Sequence, residues 1–386
     1  MGGIRSVVEW LMGGAGSTPL SDEIVTELCE RMVSAGIPLW RAAVFVNTLH
    51  PDLIGSSFIW QAGSGVRVTA AKYEILDTDE YRSSPVVAVY ATRQPIRRQL
   101  ADGIRPDDFP VLHELWAEGA TDYVAFPLPF TDGSVHVATW TTRVAGGFTA
   151  QQFADLESVI APLTRVVEIR ALRRTATNLL STYVGRQAGE RILAGKIRRG
   201  FVEEIRAVIW LSDMRGFTAL SERLPPQELI NLLNRYFDCQ VPAILVRGGE
   251  VLKFIGDGLM AIFPLAEADD PREVCQRAFS GALDARTRID ALNAQSAEPI
   301  RFGLALHTGH VMYGNIGGGN RLDFTCIGPA VNLAARLEKI APQLGQTIVA
   351  SADFAANVPG KFKQLGECTV AGFAMPQAVF GLTGPT

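Results

Sequence analysis

The sequence contains few cysteines, and none of them stands close to another. Five occur among 386 residues, at Cys29, Cys239, Cys275, Cys326 and Cys368. This spacing argues against a zinc site and against a disulfide framework, because both need cysteines in close sets. The scarcity suits a reducing compartment, and we expect a cytoplasmic protein.

Long apolar runs and a large excess of one charge are also missing. No run reaches the roughly 18 apolar residues that a membrane-spanning helix needs. The net charge is −4, which disfavours sequence-independent binding to nucleic acid. The first residues lack the basic region and long apolar core of a signal peptide. We therefore expect no membrane span and no nucleic-acid partner.

Residues 1–148 carry an α+β pattern. The predicted elements are a helix from Ser21, strands at Arg41–Leu49, Ser56–Gln61, Pro85–Tyr90 and Arg97–Leu100, a helix at Pro106–Trp116, and strands at Asp122–Leu128 and Ser134–Thr142. Their order resembles that of GAF- and PAS-type sensory domains. The resemblance implies that an unknown small molecule or protein signal binds here, and no motif identifies it.

A helical pattern follows from Thr149 to Tyr183. Apolar residues recur at spacings of three and four, and the same spacing resumes after a two-residue slip. They are Phe153, Leu156, Ile160, Leu163 and Val167, then Ile169, Leu172, Ala176, Leu179 and Tyr183. Such a seam with a phase break is typical of a helix that pairs with a second copy of itself. The alternative is an amphipathic helix packed on its own domain. We assign residues 149–200 to a signalling helix and connector.

The second half of the chain alternates strands, helices and hairpins. An apolar run at 207–211 predicts a buried strand that delivers Asp213, and β-rich runs around Gly256-Asp257-Gly258 predict a hairpin. Helices are predicted at 226–246 and 271–291, a strand at 300–307, and a second hairpin from 311–316 and 322–327. This order matches a ferredoxin-like βαββαβ plan. The predicted fold class is α+β, with a second domain at residues 201–386.

Two carboxylates are expected to meet at one edge of this second sheet. Asp213 ends the first strand, and Asp257 lies in the hairpin turn that we expect to pair beside it. Mg²⁺ is usually held by one or two protein carboxylates together with substrate phosphates. The pair therefore predicts a nucleotide-phosphate site. The alternative is that Asp213 caps the following helix and Asp257 is only a turn residue.

Three motifs in this half resemble those of class III nucleotidyl cyclases. They are LSDMRGFT at 211–218, KFIGDG at 253–258 and TCIGPAVNLAARL at 325–337. Three motifs in order are a far stronger signal than any one alone. The resemblance implies a catalytic domain that converts ATP to 3′,5′-cyclic AMP and pyrophosphate under control of the N-terminal domain. It also implies a C₂ homodimer whose two subunits share each site.

The resemblance places metal and phosphate binding in the first two motifs. Asp213 and Asp257 would hold two ions, Mg²⁺ or Mn²⁺, which activate the ribose 3′-oxygen and neutralise phosphate charge. Gly216 would let backbone N–H groups approach phosphate, and Phe217 and Thr218 would lie beside the nucleotide. For Phe217 the alternative is a core aromatic.

The resemblance places base selection and catalysis in the remaining positions. Lys253 and Thr325 match the pair that chooses the base, and a lysine donor with a threonine acceptor suits adenine. Asn332 and Arg336 lie four residues apart on one helix face, where they would orient the ribose and stabilise charge at phosphorus. The alternative for Arg336 is a surface ion pair with Glu338 or a neighbouring residue.

One position departs from the family pattern. A late Val-Lys-Gly motif usually supplies a phosphate-binding lysine, whereas this chain has Val370-Ala371-Gly372, and Lys361 or Lys363 are the possible substitutes. Ala371 keeps open a catalytically silent, nucleotide-binding regulator. Because Thr325 is compatible with more than one base, a cyclase for GTP or a pyrimidine nucleotide is the other alternative.

Overall fold

The computed structural model describes residues 3–16, 21–296, 298–319, 321–369 and 375–383. The chain divides into two compact units, and the division falls between Leu179 and Leu180. The predicted three-part division at 148/149 and 200/201 stays a prediction. Among the described residues, no helix combines the length and the apolar character needed to cross a bilayer.

The first unit is a six-stranded antiparallel sheet with helices on both faces. Its helices are α1 (Ile4–Met12), α2 (Ser21–Ser34), α3 (Asp79–Arg82), α4 (Pro85–Thr92), α5 (Pro110–Ala117) and α6 (Ala150–Tyr183). Its strands are β1 (Arg41–Asn47), β2 (Leu53–Gln61), β3 (Gly65–Lys72), β4 (Ile96–Gln99), β5 (Asp122–Pro129) and β6 (Val135–Thr142). The strand order is β3-β2-β1-β6-β5-β4. This unit confirms the predicted α+β class.

Alternation along the strands separates two apolar cores, one on each face of this sheet. Val44 and Trp140 belong to the core that α1, α2 and the start of α6 cover. Tyr123 and Val137 belong to the core that α4 and α5 cover. Because successive strand residues point to opposite faces, one set of strands supports both layers of helices.

The prediction of a strand at Pro85–Tyr90 is wrong, because this segment is helix α4. The Ser84 side chain accepts a hydrogen bond from the Val87 N–H at 3.3 Å, and Pro85 occupies the first helical turn. A serine cap and a proline at the start both favour a helix. Val86 and Val89 then share one buried face. Strand β3 and helix α3 were not anticipated.

Helix α6 is continuous, and its two halves differ in burial. In the first half, Leu156, Val159 and Leu163 are buried in the core of the first unit. The predicted dimer seam is therefore wrong for this half, which packs on its own domain. In the second half, Ile169 is 66% exposed and Leu172 is 70% exposed.

The second unit contains the elements predicted for the ferredoxin-like domain and several more. Its helices are α7 (Arg186–Leu193), α8 (Phe217–Arg223), α9 (Pro226–Leu245), α10 (Pro271–Asn293), α11 (Pro329–Ile340) and α12 (Ala352–Ala355). Its strands are β7 (Val202–Met214), β8 (Glu250–Ile255), β9 (Gly258–Leu265), β10 (Phe302–Gly318), β11 (Arg321–Ile327), β12 (Ile348–Ser351), β13 (Phe362–Cys368) and β14 (Gln377–Leu382).

The central four strands have the order β10-β7-β9-β8, and all three pairings are antiparallel. With α9 and α10 as the two connecting helices, this is the predicted ferredoxin-like βαββαβ fold. Val208 and Trp210 belong to the core beneath α9 and α10, while Ala207 and Ile209 belong to the core that contains residues of α11. Strands β12, β14 and β13 extend the sheet beyond β10.

The predicted break between a strand at 300–307 and a hairpin strand at 311–316 is wrong. Both belong to β10, which pairs with β7 from Phe302 opposite Met214 to Gly314 opposite Val202. The long partner strand keeps β10 extended through Gly309, which pairs with Ala207 and lies between the two predicted strands. The predicted departure at Val370-Ala371-Gly372 lies outside the described residues.

Candidate active site

Asp213 and Asp257 come together where the β8–β9 hairpin packs against the end of β7. Asp257 lies in the turn directly after Gly256, whose φ of +63° is the left-handed conformation that glycine favours. Gly258 follows, and a Cβ there would stand 2.8 Å from the Ser212 carbonyl oxygen and 3.0 Å from Asp213 Oδ1. The absence of a side chain at Gly258 therefore lets the hairpin tip approach Asp213.

The proximity of the two carboxylates changes how Asp213 holds a proton. Burial raises the pKa of Asp213 to about 6, and the charges of Asp257 and Glu338 act in the same direction, as does a hydrogen bond that the protonated Asp213 donates to Asp257. Like charges that share a half-buried site disfavour ionisation of both. A bound cation would relieve this repulsion, so the electrostatics of the pair fit a metal site.

The pair lines an open cavity of about 480 Å³. Gly216, Phe217 and Thr218, the residues that the resemblance places beside the nucleotide, line the same cavity. Gly216 has a φ of +76° and stands at the start of α8. Phe217 also packs against the main core of the second unit, so it combines both of the environments considered for it.

Arg215, Glu338 and Lys339 also line this cavity, and sequence reasoning missed all three. The Arg215 guanidinium donates a hydrogen bond to the Gln346 carbonyl oxygen, and its backbone N–H donates to the Arg301 carbonyl at 2.8 Å. Burial raises the pKa of Glu338, and nearby Arg215 opposes that shift. The sequence did offer a signal for two of them. Arg215 falls inside the first motif, and Glu338 directly follows the third.

Glu338 and Arg215 approach each other over a glycine. Gly303 pairs with Asp213 across the β10–β7 ladder. A Cβ at Gly303 would stand 2.6 Å from Glu338 Oε1 and 3.2 Å from an Arg215 guanidinium nitrogen. The end of α11 therefore reaches the carboxylate pair through space that only glycine leaves open.

Lys253 and Thr325 belong to a second cluster, formed by β8 and β11. Lys253 Nζ lies 3.6 Å from Asp323 Oδ2. Asp323 and Thr325 are two residues apart on β11 and so point to the same face. Thr325 is 4% exposed, and its hydroxyl oxygen has no hydrogen-bond partner in the described part of the chain. A buried hydroxyl without a partner is costly unless a ligand supplies one.

Asn332 and Arg336 lie on the exposed side of α11. The surface ion pair considered for Arg336 with Glu338 does not form, and within the described ranges its guanidinium contacts no carboxylate at ion-pair distance. The residues that line the carboxylate cavity do not include Asn332, Arg336, Lys253 or Thr325. One chain therefore presents the predicted site residues as separate groups.

The donor set suits a cation that completes its coordination with substrate oxygens. Within the described residues, no group of three or more His, Cys, Asp or Glu side chains is arranged to hold a metal ion. Two carboxylates alone leave most positions around a Mg²⁺ or Mn²⁺ ion to phosphate and water, which both ions accept. The Asp213–Asp257 pair therefore fits these ions together with a polyphosphate.

Comparison with known families identifies the second unit. Residues 203–380 match the adenylate and guanylate cyclase catalytic domain. The second unit carries a class III nucleotidyl cyclase domain. The resemblance seen in the three motifs is thus confirmed, and it covers the residues that build the site.

Among curated relatives, an adenylate cyclase of Anabaena cylindrica is 30% identical over 240 residues, which are 56% of this chain and 46% of that protein. Adenylate cyclase 1 of Rhizobium meliloti is 28% identical over 243 residues, which are 60% of this chain and 35% of that protein. The chain therefore spans less than half the length of these relatives. A solved adenylyl cyclase structure from P. aeruginosa is 28% identical in sequence and has a TM-score of 0.44. The match covers 48% of this chain and 97% of that chain.

Proposed function

We propose that this protein is an adenylyl cyclase that converts ATP to 3′,5′-cyclic AMP and pyrophosphate. The observation that carries the proposal is the pair Asp213 and Asp257, which one hairpin brings together with a raised carboxyl pKa. A pair of this kind attracts divalent cations and the polyphosphate that accompanies them. The two adenylate cyclases among the relatives support the reaction class.

In this proposal each cavity residue has a separate task. Asp213 and Asp257 would hold Mg²⁺ or Mn²⁺, two ions per site, and the bound ions would supply positive charge that favours ionisation of the ribose 3′-hydroxyl and neutralises the leaving pyrophosphate. Gly216 and Thr218 offer backbone N–H groups and a hydroxyl to phosphate oxygens at the start of α8. Phe217 excludes water from one side. Arg215, fixed by the Gln346 carbonyl, adds positive charge to the cavity wall.

Base selection falls to the cluster on β8 and β11. Lys253 donates to adenine N1, and the Thr325 hydroxyl accepts from the 6-amino group, which gives that buried oxygen the partner it lacks. A specific observation also favours a second candidate, a guanylyl cyclase. The Asp323 carboxylate stands beside Lys253 and is an acceptor that suits the N1–H of guanine. Competition among the four nucleoside triphosphates distinguishes the two.

A second copy of the chain completes the site in this proposal. Asn332 and Arg336 are exposed and do not line the carboxylate cavity. A homodimer with two-fold symmetry places the carboxylates of one subunit opposite these residues and the base cluster of the other. Asn332 then orients the ribose, and Arg336 stabilises the charge that develops at the α-phosphorus.

The first unit is proposed to regulate this reaction as a GAF- or PAS-like sensory domain acting through α6. The exposed Ile169 and Leu172 support pairing of the second half of that helix with its copy. A signal changes activity only if it binds the active arrangement of the dimer differently from the inactive one. Comparing residues 180–386 with the full chain tests this, and identical basal and stimulated activities would remove the regulatory role.

The deciding experiment is product analysis of the purified full-length protein with ATP and either Mg²⁺ or Mn²⁺. Asp257→Ala is the test variant. Asp238→Asn is the matched control, because Asp238 is an exposed carboxylate on α9 away from the cavity. We expect cyclic AMP from the wild type and the control and none from Asp257→Ala. No product with any nucleotide would favour the silent regulator, and restoring Ala371→Lys would then be the next step.

A further inference from the structure

A cavity in the first unit is unrelated to the cyclase site. It has a volume of about 330 Å³ and lies between one face of the sheet and the segment that covers it, which includes α3, α4 and α5. Ligand pockets for small molecules begin at about 300 Å³ and are lined mainly by apolar and aromatic side chains. Ile59, Val86 and Leu115 contribute aliphatic walls of this kind.

Four aromatic rings line the cavity, namely Phe45, Tyr81, Tyr90 and Tyr123. Burial raises the pKa of Tyr90 and of Tyr123, so both phenols stay neutral at physiological pH. Asn47 hydrogen-bonds the Tyr90 side chain, and Thr139 hydrogen-bonds that of Tyr123. Fixed ring faces with neutral hydroxyls suit a flat or apolar molecular body.

The cation in this lining forms no ion pair within the described part of the chain. Arg41 is half-buried and is the single cationic residue among the described residues that line the cavity. No hydrogen bond or ion pair engages its guanidinium within the described part of the chain, and its charge acts on the phenol of Tyr123. A half-buried cation beside apolar walls is stabilised by an anionic partner, and the planar guanidinium matches a carboxylate in particular.

The remaining charges limit how negative the occupant can be. Glu80 and Glu114 line the same cavity at exposed positions, so the charged residues of the lining sum to one positive and two negative groups. A phosphate with two or more negative charges would meet a single cation and two carboxylates. A ligand group with one negative charge can be neutralised by the single positive charge of Arg41.

We propose that this cavity binds a small carboxylic acid with an aromatic or apolar body, whose carboxylate pairs with Arg41. The ring or alkyl part lies against Phe45, Tyr90 and Tyr123, and the phenol hydroxyls offer neutral hydrogen bonds at its edge. The inference stands on the first unit alone. It holds whether or not the second unit makes cyclic AMP, because binding is measured without turnover.

The test is calorimetry on the full-length protein with 3-phenylpropionate and its neutral counterpart 3-phenylpropionamide. We expect the acid to bind at least about tenfold more tightly than the amide. Arg41→Gln removes that preference. Arg41→Lys retains part of it, because the positive charge remains but the planar guanidinium that can donate two hydrogen bonds to a carboxylate is lost. Arg105→Gln is the matched control, since Arg105 lies outside the cavity lining, and it leaves the preference unchanged.

A further arm uses L-phenylalanine, which adds an ammonium group to the same skeleton. Binding that depends on Arg41 supports the proposal for either acid, and tighter binding of the amino acid shows that Glu80 or Glu114 receives the ammonium. Equal affinity for acid and amide in the wild type overturns the proposal, as does the absence of binding by either acid up to about 1 mM. Both outcomes are read on the wild type, so they hold even if Arg41→Gln fails to fold.

Discussion

The two groups of candidate catalytic residues differ in how far one chain organises them. Asp213 and Asp257 stand side by side in a half-buried cavity, where burial and then the charge of Asp257 raise the pKa of Asp213. Asn332 and Arg336 stand on an exposed helix face, and Arg336 has no carboxylate partner within the described residues. The two carboxylates repel each other, and a bound cation would relieve that repulsion. Asn332 and Arg336 face no comparable repulsion. Repulsion between two carboxylates within one chain is what we expect of a cation site. Exposed polar residues on a helix are what we expect of groups that act on a substrate held by a second chain.

The largest expected effect comes from neutralising one member of the strained pair. Asp257→Asn should lower kcat by at least about a thousandfold, because it removes one of the two proposed metal ligands. The same change should raise the melting temperature of the metal-free protein, because it removes the repulsion on Asp213. Kinetics and calorimetry in a chelator check both parts. A lower melting temperature of metal-free Asp257→Asn would contradict the proposed repulsion between the two carboxylates.

Arg336→Ala should lower kcat by about a hundredfold to a thousandfold, because the proposed donor to the transition state is lost. It should leave the melting temperature unchanged, since the residue is exposed. Steady-state kinetics and thermal melts measure the two effects. Arg277→Ala is the comparison for removal of a cation, because Arg277 is exposed on α10 and lies outside the carboxylate cavity. Equal loss of activity in both variants would assign the effect to net charge.

Gly258→Ala sharpens the comparison by moving the hairpin without changing any charge. The new Cβ would meet the Ser212 carbonyl oxygen at 2.8 Å, so the hairpin tip must shift away from β7. We expect a loss of about 1–3 kcal/mol in stability and weaker binding of Mn²⁺. Gly256→Ala is the control with a strained φ but open space around its Cβ. If metal binding were unaffected in Gly258→Ala, the close approach of the hairpin would be unnecessary.

The smallest expected effect is on pH dependence. The folded-state pKa of Asp213 is raised to about 6 from an ordinary 3.8, so the folded protein binds this proton more tightly than the unfolded chain does. This group therefore favours the metal-free fold most below its ordinary pKa, and that contribution is lost as the pH rises through about 6. Asp213→Asn should raise the melting temperature more at pH 7.5 than at pH 4.5. The reverse order would contradict the assignment.

Sequence reasoning located the carboxylate pair because both positions follow from local rules. A buried strand fixed Asp213 at its end, and a glycine-flanked turn fixed Asp257 at a hairpin tip. Glu338 was missed because only tertiary packing over Gly303 brings the end of α11 to the cavity, and Arg215 was missed although it stands two residues after Asp213 in the first motif. The same limit applies to the first unit, where the cavity arises between a sheet and helices distant in sequence.

The errors in secondary structure share a physical origin. Pro85–Tyr90 is rich in β-branched residues, yet the Ser84 cap and the proline start make it a helix. The runs at 300–307 and 311–316 look like two strands in the sequence, yet pairing with the long strand β7 joins them into β10. The apolar spacing along α6 is visible in the sequence, but the sequence does not say that its first half packs on the first unit while Ile169 and Leu172 stay exposed. Local pattern identifies apolar faces, and only tertiary structure assigns their partners.

The central claim is that each active site needs the carboxylates of one chain and the arginine of another. The most direct measurement is the activity of Asp257→Ala and Arg336→Ala chains, each inactive alone, after coexpression with two different tags and purification over both. Free assortment makes about half of all dimers mixed, and each mixed dimer has one intact site of two, so an unselected mixture should recover about a quarter of wild-type activity. The doubly purified dimers should recover about half. Mixed dimers that form but stay inactive would contradict the account.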